Sequence, residues 1–337
     1  MATTAQIRGM LLEEALLYLL RLSGYRTVEK ADEDLTLNNG HSGLEVFGRG
    51  GVHQIDAVAD FVIAQPFSNP QRLLLEAKFR SDKTGIEVVR NAVGVLKDVS
   101  EYWVSRKEIP FKARYHYQYA VFSISDYTSP AQKYAFAHDV YLIPLNSYVF
   151  FRPVIQAIET VTVDYFKEKI YKKLLKNLRF FVQNKLKYIY TRTPDNLLKN
   201  DFLESAINDF INECHRLNGA LLAMIDRQFP VFIVPNHNIN VRNLEDFIQV
   251  EISWDDQGRY IKQLNSNLRV FSFDLPKELF NLYAKQGFLS NIEALNLKSD
   301  YMSEIQALVT SDNQTRVITL QLDQQWLNNL HETFNTK

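Results

Sequence analysis

The feature that most constrains the fold is a set of three short apolar stretches separated by segments of helical periodicity. The stretches RLLLEAKF (72–79), YQYAVFSIS (117–125) and VYLIPL (140–145) have the length and composition of strands. Residues 84–104 and 129–139 repeat apolar positions at helical spacing between them. Because strands that alternate with helices form parallel pairs, this part of the chain predicts an α/β unit whose central strands are buried on both faces.

The segments before and after this α/β unit complete the first domain and predict a second one. Apolar positions at helical spacing predict a helix over 5–23, which ends before Gly24, and GLEVFGRGG and VHQIDAVADFVIA predict strands that meet at a glycine-rich turn. From Pro153 to about Leu217 the pattern is helical, and strand-like runs with one more helix follow. With 337 residues available, we predict one domain over 1–152 and a helical, then α+β, domain over 153–337.

Composition excludes several classes of protein. Lys and Arg number 38 against 39 Asp and Glu, so the chain lacks the overall basic character of a histone-like binder. The single cysteine, Cys214, allows no internal disulfide and no four-cysteine zinc site. No apolar run reaches the roughly 18 residues of a membrane-spanning helix, and glutamates interrupt the first apolar segment. We therefore expect a cytoplasmic protein with no membrane partner.

Charged residues at the end of the first apolar strand raise a chemical question. Glu76 and Lys78 fall on one face of the strand by alternation, and Asp56 lies on the strand that precedes it. Two carboxylates on neighbouring strands repel each other unless a cation lies between them, and oxygen ligands suit Mg²⁺ or Mn²⁺. The Ala77 carbonyl is a further possible ligand, and the Lys78 ammonium is placed to orient or deprotonate a water. Such a set is suited to phosphodiester hydrolysis.

Other interpretations of these residues stay open. Glu76 and Lys78 alone could form an ordinary surface pair worth ~0–1 kcal/mol. Asp60 is an alternative carboxylate, although it lies four residues beyond Asp56. Gln54 faces the same side as Asp56 and is a candidate for supporting the site by a hydrogen bond. His53 could contact a phosphate or form only a local hydrogen bond.

Asp56 followed by Glu76-Ala77-Lys78 resembles the PD-(D/E)XK nuclease pattern, with Ile55 in place of the proline. Gly9, Glu13 and the pair Gly24-Tyr25 are similar to the opening of Mrr-type restriction endonucleases and archaeal Holliday-junction resolvases. The resemblance covers roughly residues 5–150. It implies a restriction-endonuclease-like mixed sheet flanked by helices, with Glu13, rather than Glu14, as the helix glutamate that completes a metal site.

Basic residues outside this pattern are candidates for binding nucleic acid. Arg49 and Arg80 flank the proposed site. Residues 167–192 hold nine Lys or Arg against one Glu, with aromatic residues interleaved. The candidates in this segment for contact with a DNA backbone are Lys172, Lys173, Lys176 and Arg179. The alternative is an amphipathic helix with a solvated lysine face.

Together these features predict a Mg²⁺-dependent DNA endonuclease. The resemblance implies a setting in prokaryotic restriction or antiphage defence. Cleavage of both strands favours a homo-oligomer, and a partner such as a separate ATPase is another possibility, since the chain has no Walker-type loop of its own. Two alternatives are a non-cleaving DNA-binding or sensor subunit on the same fold and a structure-specific junction resolvase.

Overall fold

The computed structural model describes residues 1–31, 34–40, 43–102, 114–167, 170–189, 201–236, 243–255, 258–264, 268–284, 289–311 and 314–335. The chain forms two compact units. The first comprises Met1–Arg21 and Tyr25–Asn218, and the second comprises Leu22–Gly24 and Gly219–Lys337. The boundary predicted after residue 152 falls inside the first unit, because the helical segments that follow it pack against the N-terminal helix.

The first unit contains six helices and eight strands among its described residues. The helices are α1 (Thr4–Leu22), α2 (Ile86–Ser100), α3 (Ser129–Ala137), α4 (Arg152–Thr160), α5 (Tyr171–Leu186) and α6 (Asp201–His215). The strands are β1 (Tyr25–Val28), β2 (Leu37–Asn39), β3 (Leu44–Phe47), β4 (Val52–Ile55), β5 (Ala57–Phe61), β6 (Gln71–Lys78), β7 (His116–Ser123) and β8 (Val140–Pro144).

Five of these strands form a mixed sheet in the order β1-β5-β6-β7-β8. The pairs β6–β7 and β7–β8 are parallel, whereas β5 runs antiparallel to both β1 and β6. Leu74 and Val121 of the central strands are fully buried, and they share a core with Val89 of α2 and Ala131 of α3. The predicted α/β class is therefore confirmed, with the central strands parallel as expected.

The segment VHQIDAVADFVIA forms two strands rather than one. Its first part, β4, belongs to a separate antiparallel sheet in the order β2-β3-β4, and its second part, β5, belongs to the five-stranded sheet. Pairing with β3 ends at Ile55, and pairing with β6 begins at Ala57. Asp56 therefore occupies the bend where the chain passes from one sheet to the other.

The second unit is a closed barrel of seven strands in the order β10-β13-β12-β11-β15-β14-β9. Its strands are β9 (Leu221–Ile225), β10 (Phe229–Pro235), β11 (Phe247–Asp255), β12 (Gly258–Gln263), β13 (Arg269–Phe273), β14 (Glu304–Ser311) and β15 (Gln314–Leu322). The helices described in this unit are α7 (Lys277–Tyr283), α8 (Asn291–Tyr301) and α9 (Gln324–Asn335). Strands were expected here, but nothing in the sequence indicated that they close on themselves.

One turn in the barrel shows how local sequence guides the fold. The run ALLAMIDRQFPVFIVP forms the hairpin β9–β10, in which Ile225 pairs with Phe229. Asp226 and Arg227 at the turn both have positive φ, 48° and 58°. Two consecutive residues in the left-handed region give the backbone twist that tight hairpins favour.

None of the helices in the described ranges has the length and apolarity that crossing a bilayer requires.

Candidate active site

The bend between β4 and β5 fixes the carboxylate of Asp56 against strand β6. The Ala77 backbone N–H donates a hydrogen bond of 2.8 Å to Asp56 Oδ2. Ala77 lies between Glu76 and Lys78, so this bond brings the aspartate to the end of β6 where both charged residues are found. The structure therefore brings together the three residues of the predicted Asp…Glu-x-Lys pattern.

Glu76 is held from two sides. Lys78 Nζ lies 2.5 Å from Glu76 Oε1, which agrees with the expectation that both side chains share a face of the strand. The Tyr119 hydroxyl donates a 2.9 Å hydrogen bond to Glu76 Oε2. Tyr119 lies on the adjacent parallel strand β7 and is almost completely buried. A fixed tyrosine thus sets the orientation of a carboxylate that remains partly accessible.

Helix α1 contributes two further carboxylates. Arg179 of α5 forms ion pairs with both: its Nη2 contacts Glu13 Oε2, and its Nε lies 3.0 Å from Glu14 Oε1. Gln183, one turn further along α5, donates a 3.2 Å hydrogen bond to the same oxygen of Glu14. Glu14 is fully buried, whereas Glu13 keeps part of its side chain exposed. Of the two, Glu13 is therefore the one that a ligand can reach.

The carboxylates in this region influence one another. Burial raises the pKa of Glu13 to about 8; Arg179 opposes this increase, while the negative charges of Asp56 and Glu14 add to it. Burial also raises the pKa of Glu14 to about 7, against the effects of Arg179 and Gln183. The charge of Asp56 therefore acts on Glu13, the helix residue favoured by the sequence pattern.

The pKa of Asp56 is shifted in the same direction. Burial raises the pKa of this carboxyl, the Ala77 N–H and the Lys78 ammonium lower it, and the charge of Glu76 raises it further. The cluster thus contains four carboxyl groups (Glu13, Glu14, Asp56 and Glu76) against two cations (Lys78 and Arg179). Acidic side chains with raised pKa values next to a few cations are typical of sites that bind or transform ligands.

The donor atoms of Asp56, Glu76 and the Ala77 backbone are all oxygens, which suits a hard cation such as Mg²⁺ or Mn²⁺. When all four carboxyls are ionised they exceed the two cations by two charges, and an excess of this size also suits a divalent ion. In the part of the chain that the structure describes, no set of three or more His, Cys, Asp or Glu side chains has an arrangement that could hold a metal ion. In this arrangement the carboxylates have cationic side chains as partners: Lys78 contacts Glu76, and Arg179 contacts Glu13.

Three residues considered beside the pattern have other surroundings. Gln54 is exposed on β4, where it lies opposite Glu45 of β3. The hydrogen bond that holds Asp56 Oδ2 comes from the Ala77 backbone N–H. His53 Nε2 lies 2.7 Å from Asp98 Oδ2 on α2, which agrees with a local hydrogen-bonding role. Asp60 is buried and binds a different cation, Arg72.

The predicted basic residues separate into distinct groups. Arg49 is largely exposed and pairs with Glu101 at 2.7 Å. Lys172, Lys173 and Lys176 lie on the exposed face of α5, whereas Leu174 and Leu178 of the same helix are buried. Arg179 points to Glu13 and Glu14 instead of joining the lysines. Residues 168, 169 and 190–192 of the basic segment lie outside the described part of the chain.

Sequence reasoning missed two contributors to the site. The sequence predicts Arg179 only as a basic residue for DNA, and it gives no prediction for Tyr119. The signal that could have indicated Arg179 is its spacing from Gln183, because residues four apart share one face of a helix. Tyr119 has no such local signal, since its contact with Glu76 depends on the register of two parallel strands.

Comparison with known proteins adds little to this geometry. No family model matches the sequence, and no curated protein matches it. Among solved structures, the chain is similar to the crystal structure of a protein of unknown function, AF1548, with a TM-score of 0.32 and 16% identity. This similarity covers 62% of the present chain and 98% of the other.

Proposed function

We propose that this chain is a metal-dependent DNA endonuclease, with a restriction-endonuclease-like first unit that carries the site. The observation that carries the proposal is the hydrogen bond from Ala77 N–H to Asp56, which joins the aspartate to the strand bearing Glu76 and Lys78. The effect of the Asp56 charge on Glu13 adds the helix glutamate to the same group. The resemblance of these residues to the PD-(D/E)XK pattern supplies the reaction class.

Asp56, Glu76 and the Ala77 carbonyl are the groups that would hold Mg²⁺ or Mn²⁺. When bound, such an ion supplies charge neutralisation at the phosphoryl oxygens and lowers the pKa of water. The protein contributes the placement of the ligands. Tyr119 limits rotation of the Glu76 carboxylate, and the Ala77 N–H limits rotation of Asp56.

Lys78 is the residue we assign to the attacking water. Its ammonium lies within hydrogen-bond distance of Glu76, and its side chain is about one-quarter exposed. A water that reaches the end of β6 can therefore accept a hydrogen bond from it. Contact with Lys78 would orient the water lone pair and stabilise the negative charge that develops as the water loses a proton.

Cleavage of supercoiled plasmid DNA in the presence of Mg²⁺ or Mn²⁺ tests this assignment. We expect Asp56→Asn and Lys78→Met each to reduce the cleavage rate by at least about 100-fold, since each removes a group that acts in the reaction. Asp209→Asn and Lys133→Met make the same chemical changes at exposed positions on α6 and α3. Both controls should cleave at the wild-type rate.

Calorimetric titration with Mn²⁺ separates the two roles. Asp56→Asn should lose Mn²⁺ binding because it lacks a ligand, while Lys78→Met should retain it. Equal plasmid cleavage by wild type and Asp56→Asn would eliminate the proposal.

The ion pair between Arg179 and Glu13 favours a second candidate function. A guanidinium that already neutralises the helix glutamate is compatible with a unit that binds DNA without cutting it. In that case the wild-type protein would slow the migration of duplex DNA in a gel-shift assay. It would bind no Mn²⁺ at this site and would leave the plasmid intact. Four-way junctions offered beside linear duplex test the resolvase alternative in the same assay.

A further inference from the structure

A cavity of about 450 Å³ lies in the first unit where the parallel strands end. Its wall includes residues that lie within two positions of the ends of three neighbouring strands: Arg80 after β6, Ile124 after β7 and Asn146 after β8. The carboxyl ends of parallel strands are where α/β sheets usually bind ligands. The volume falls within the roughly 300–1,000 Å³ typical of small-molecule sites.

The charge of the wall is strongly positive. Three arginines, Arg8, Arg80 and Arg152, line the cavity together with one acidic residue, Glu159. They come from three separate segments, namely α1, the residues after β6, and α4. Arginines gathered from distant parts of the chain make a convergent cationic site, unlike a run of neighbouring lysines on a helix surface.

Hydrogen bonds to the backbone hold two of these arginines in place. Arg8 Nε donates to the Val161 carbonyl at 3.1 Å, and its Nη2 donates to the Glu159 carbonyl. Arg152 Nε donates to the Asn146 carbonyl at 2.9 Å. A guanidinium carries five N–H donors, so these bonds fix the planes of the two groups while using only part of their donors. Little side-chain freedom would then be lost on binding.

We infer that this cavity binds a phosphate group carried by a nucleotide. Planar guanidinium groups match the geometry of phosphate oxygens and bind them with two parallel hydrogen bonds. Phe79, Ile124 and Ile155 supply apolar surface beside the arginines, as a base or sugar requires. The nucleotide is either free in solution or part of a DNA strand. Binding of phosphate here does not depend on the proposed cleavage reaction.

Calorimetric titration of the full chain with ADP in EDTA tests the site, with adenosine as the phosphate-free control. We expect ADP to bind and adenosine not to bind. Arg80→Gln should weaken ADP by at least about tenfold, because it removes a charged donor without affecting any backbone bond described for Arg8 or Arg152. Arg216→Gln removes one exposed arginine elsewhere in the unit and should leave the affinity unchanged.

Competition identifies the source of the phosphate. An unlabelled single-stranded oligonucleotide that displaces ADP assigns the cavity to a DNA strand, whereas undiminished ADP binding assigns it to a free nucleotide. Asp56→Asn should bind ADP as the wild type does, which separates this cavity from the candidate active site. The inference is overturned if ADP does not bind, or if the double variant Arg80→Gln/Arg152→Gln binds ADP as tightly as wild type.

Discussion

The two ends of strand β6 differ in how completely cations balance the buried carboxyl groups. At the start of the strand, Arg72 is 1% exposed, and each of its three guanidinium nitrogens donates a hydrogen bond. It donates to Asp60 Oδ1 at 2.6 Å, to Thr36 Oγ1 at 2.7 Å and to Asp34 Oδ2 at 2.7 Å, and its Cζ lies 3.6 Å from the centroid of the Tyr115 ring. At the other end, carboxyl groups outnumber the cations beside them.

The pKa values express this difference. Burial alone would raise the pKa of Asp34, but hydrogen bonds from Arg72 and Thr36 outweigh it and lower the value. Near the far end of the strand, burial raises the pKa values of Glu13 and Asp56 despite the cations nearby. The first cluster is electrostatically matched and holds the fold together. The second is mismatched, and a mismatch of this kind is expected where a ligand completes the site.

Removing the centre of the matched cluster should have the largest effect on stability. Arg72→Met leaves the buried carboxylate of Asp60 without its main partner, so we expect the free energy of unfolding to fall by about 3–5 kcal/mol. Urea unfolding followed by circular dichroism measures the change. Arg26→Gln is the matched control: it contacts the same Asp60 at 3.2 Å from an exposed position and should cost no more than about 1 kcal/mol. A stable Arg72→Met variant would contradict the distinction between the two ends.

Arg179→Ala should destabilise the mismatched cluster by about 2 kcal/mol at about pH 9, where both glutamates are ionised in the folded protein, because Glu13 and Glu14 then lose their shared cation. The loss should shrink towards about pH 5, where both carboxyls are protonated in the folded protein and attract the guanidinium less. Unfolding midpoints across this pH range provide the measurement. Lys176→Ala on the exposed face of the same helix is the control, and a loss for Arg179→Ala that does not vary with pH would count against the assigned role.

The stability of the wild-type protein should itself depend on pH through Glu13. Its pKa rises from 4.5 to about 8 on folding, so the folded state binds the proton more tightly than the unfolded state does. This contribution to stability is fully present below about pH 4.5 and is lost as the pH rises through about 8, a decline of up to about 5 kcal/mol. The lowered pKa of Asp34 has the opposite sign and matters only in acid.

Glu13→Gln should flatten this decline, since the amide cannot titrate. The difference between wild type and variant, measured by urea unfolding in EDTA, isolates this group from the others that titrate in the same range. If wild type and Glu13→Gln show the same pH dependence of stability, the pKa of Glu13 is not raised. The cations would then balance the carboxyl groups of this cluster more completely than its geometry indicates.

The smallest effect is expected from Tyr119→Phe, which removes one hydrogen bond to Glu76. We expect a loss of about 1 kcal/mol in stability and a reduction of about threefold to tenfold in plasmid cleavage, because the Glu76 carboxylate gains rotational freedom. Tyr134→Phe on α3 makes the same change away from the site. Cleavage by Tyr119→Phe that matches the control would remove Tyr119 from the site.

The sequence predicted those parts of the molecule that are encoded locally. The strands β6, β7 and β8 and the helices between them follow from apolar periodicity, and the shared face of Glu76 and Lys78 follows from strand alternation. These features depend on residues that are neighbours along the chain. The expected α/β class was therefore correct.

Contacts between distant residues could not be predicted in this way. The pairing of Arg179 with Glu13 spans 166 positions, and helical spacing alone does not tell which surface the arginine meets. Closure of the barrel requires β9 to pair with both β10 and β14, a choice that no single strand encodes. The break at Asp56 is not predicted because no glycine or proline separates β4 from β5 in the segment VHQIDAVADFVIA.

That break has a consequence for how the protein tolerates changes in length. Asp56 belongs to neither ladder, so its position is set jointly by the pairing of β4 with β3 and of β5 with β6. One residue added or deleted between Ile55 and Ala57 would turn the carboxyl away from the Ala77 N–H even if both sheets remained intact. An insertion or deletion at the seam between the sheets would thus separate Asp56 from strand β6 without disturbing either sheet.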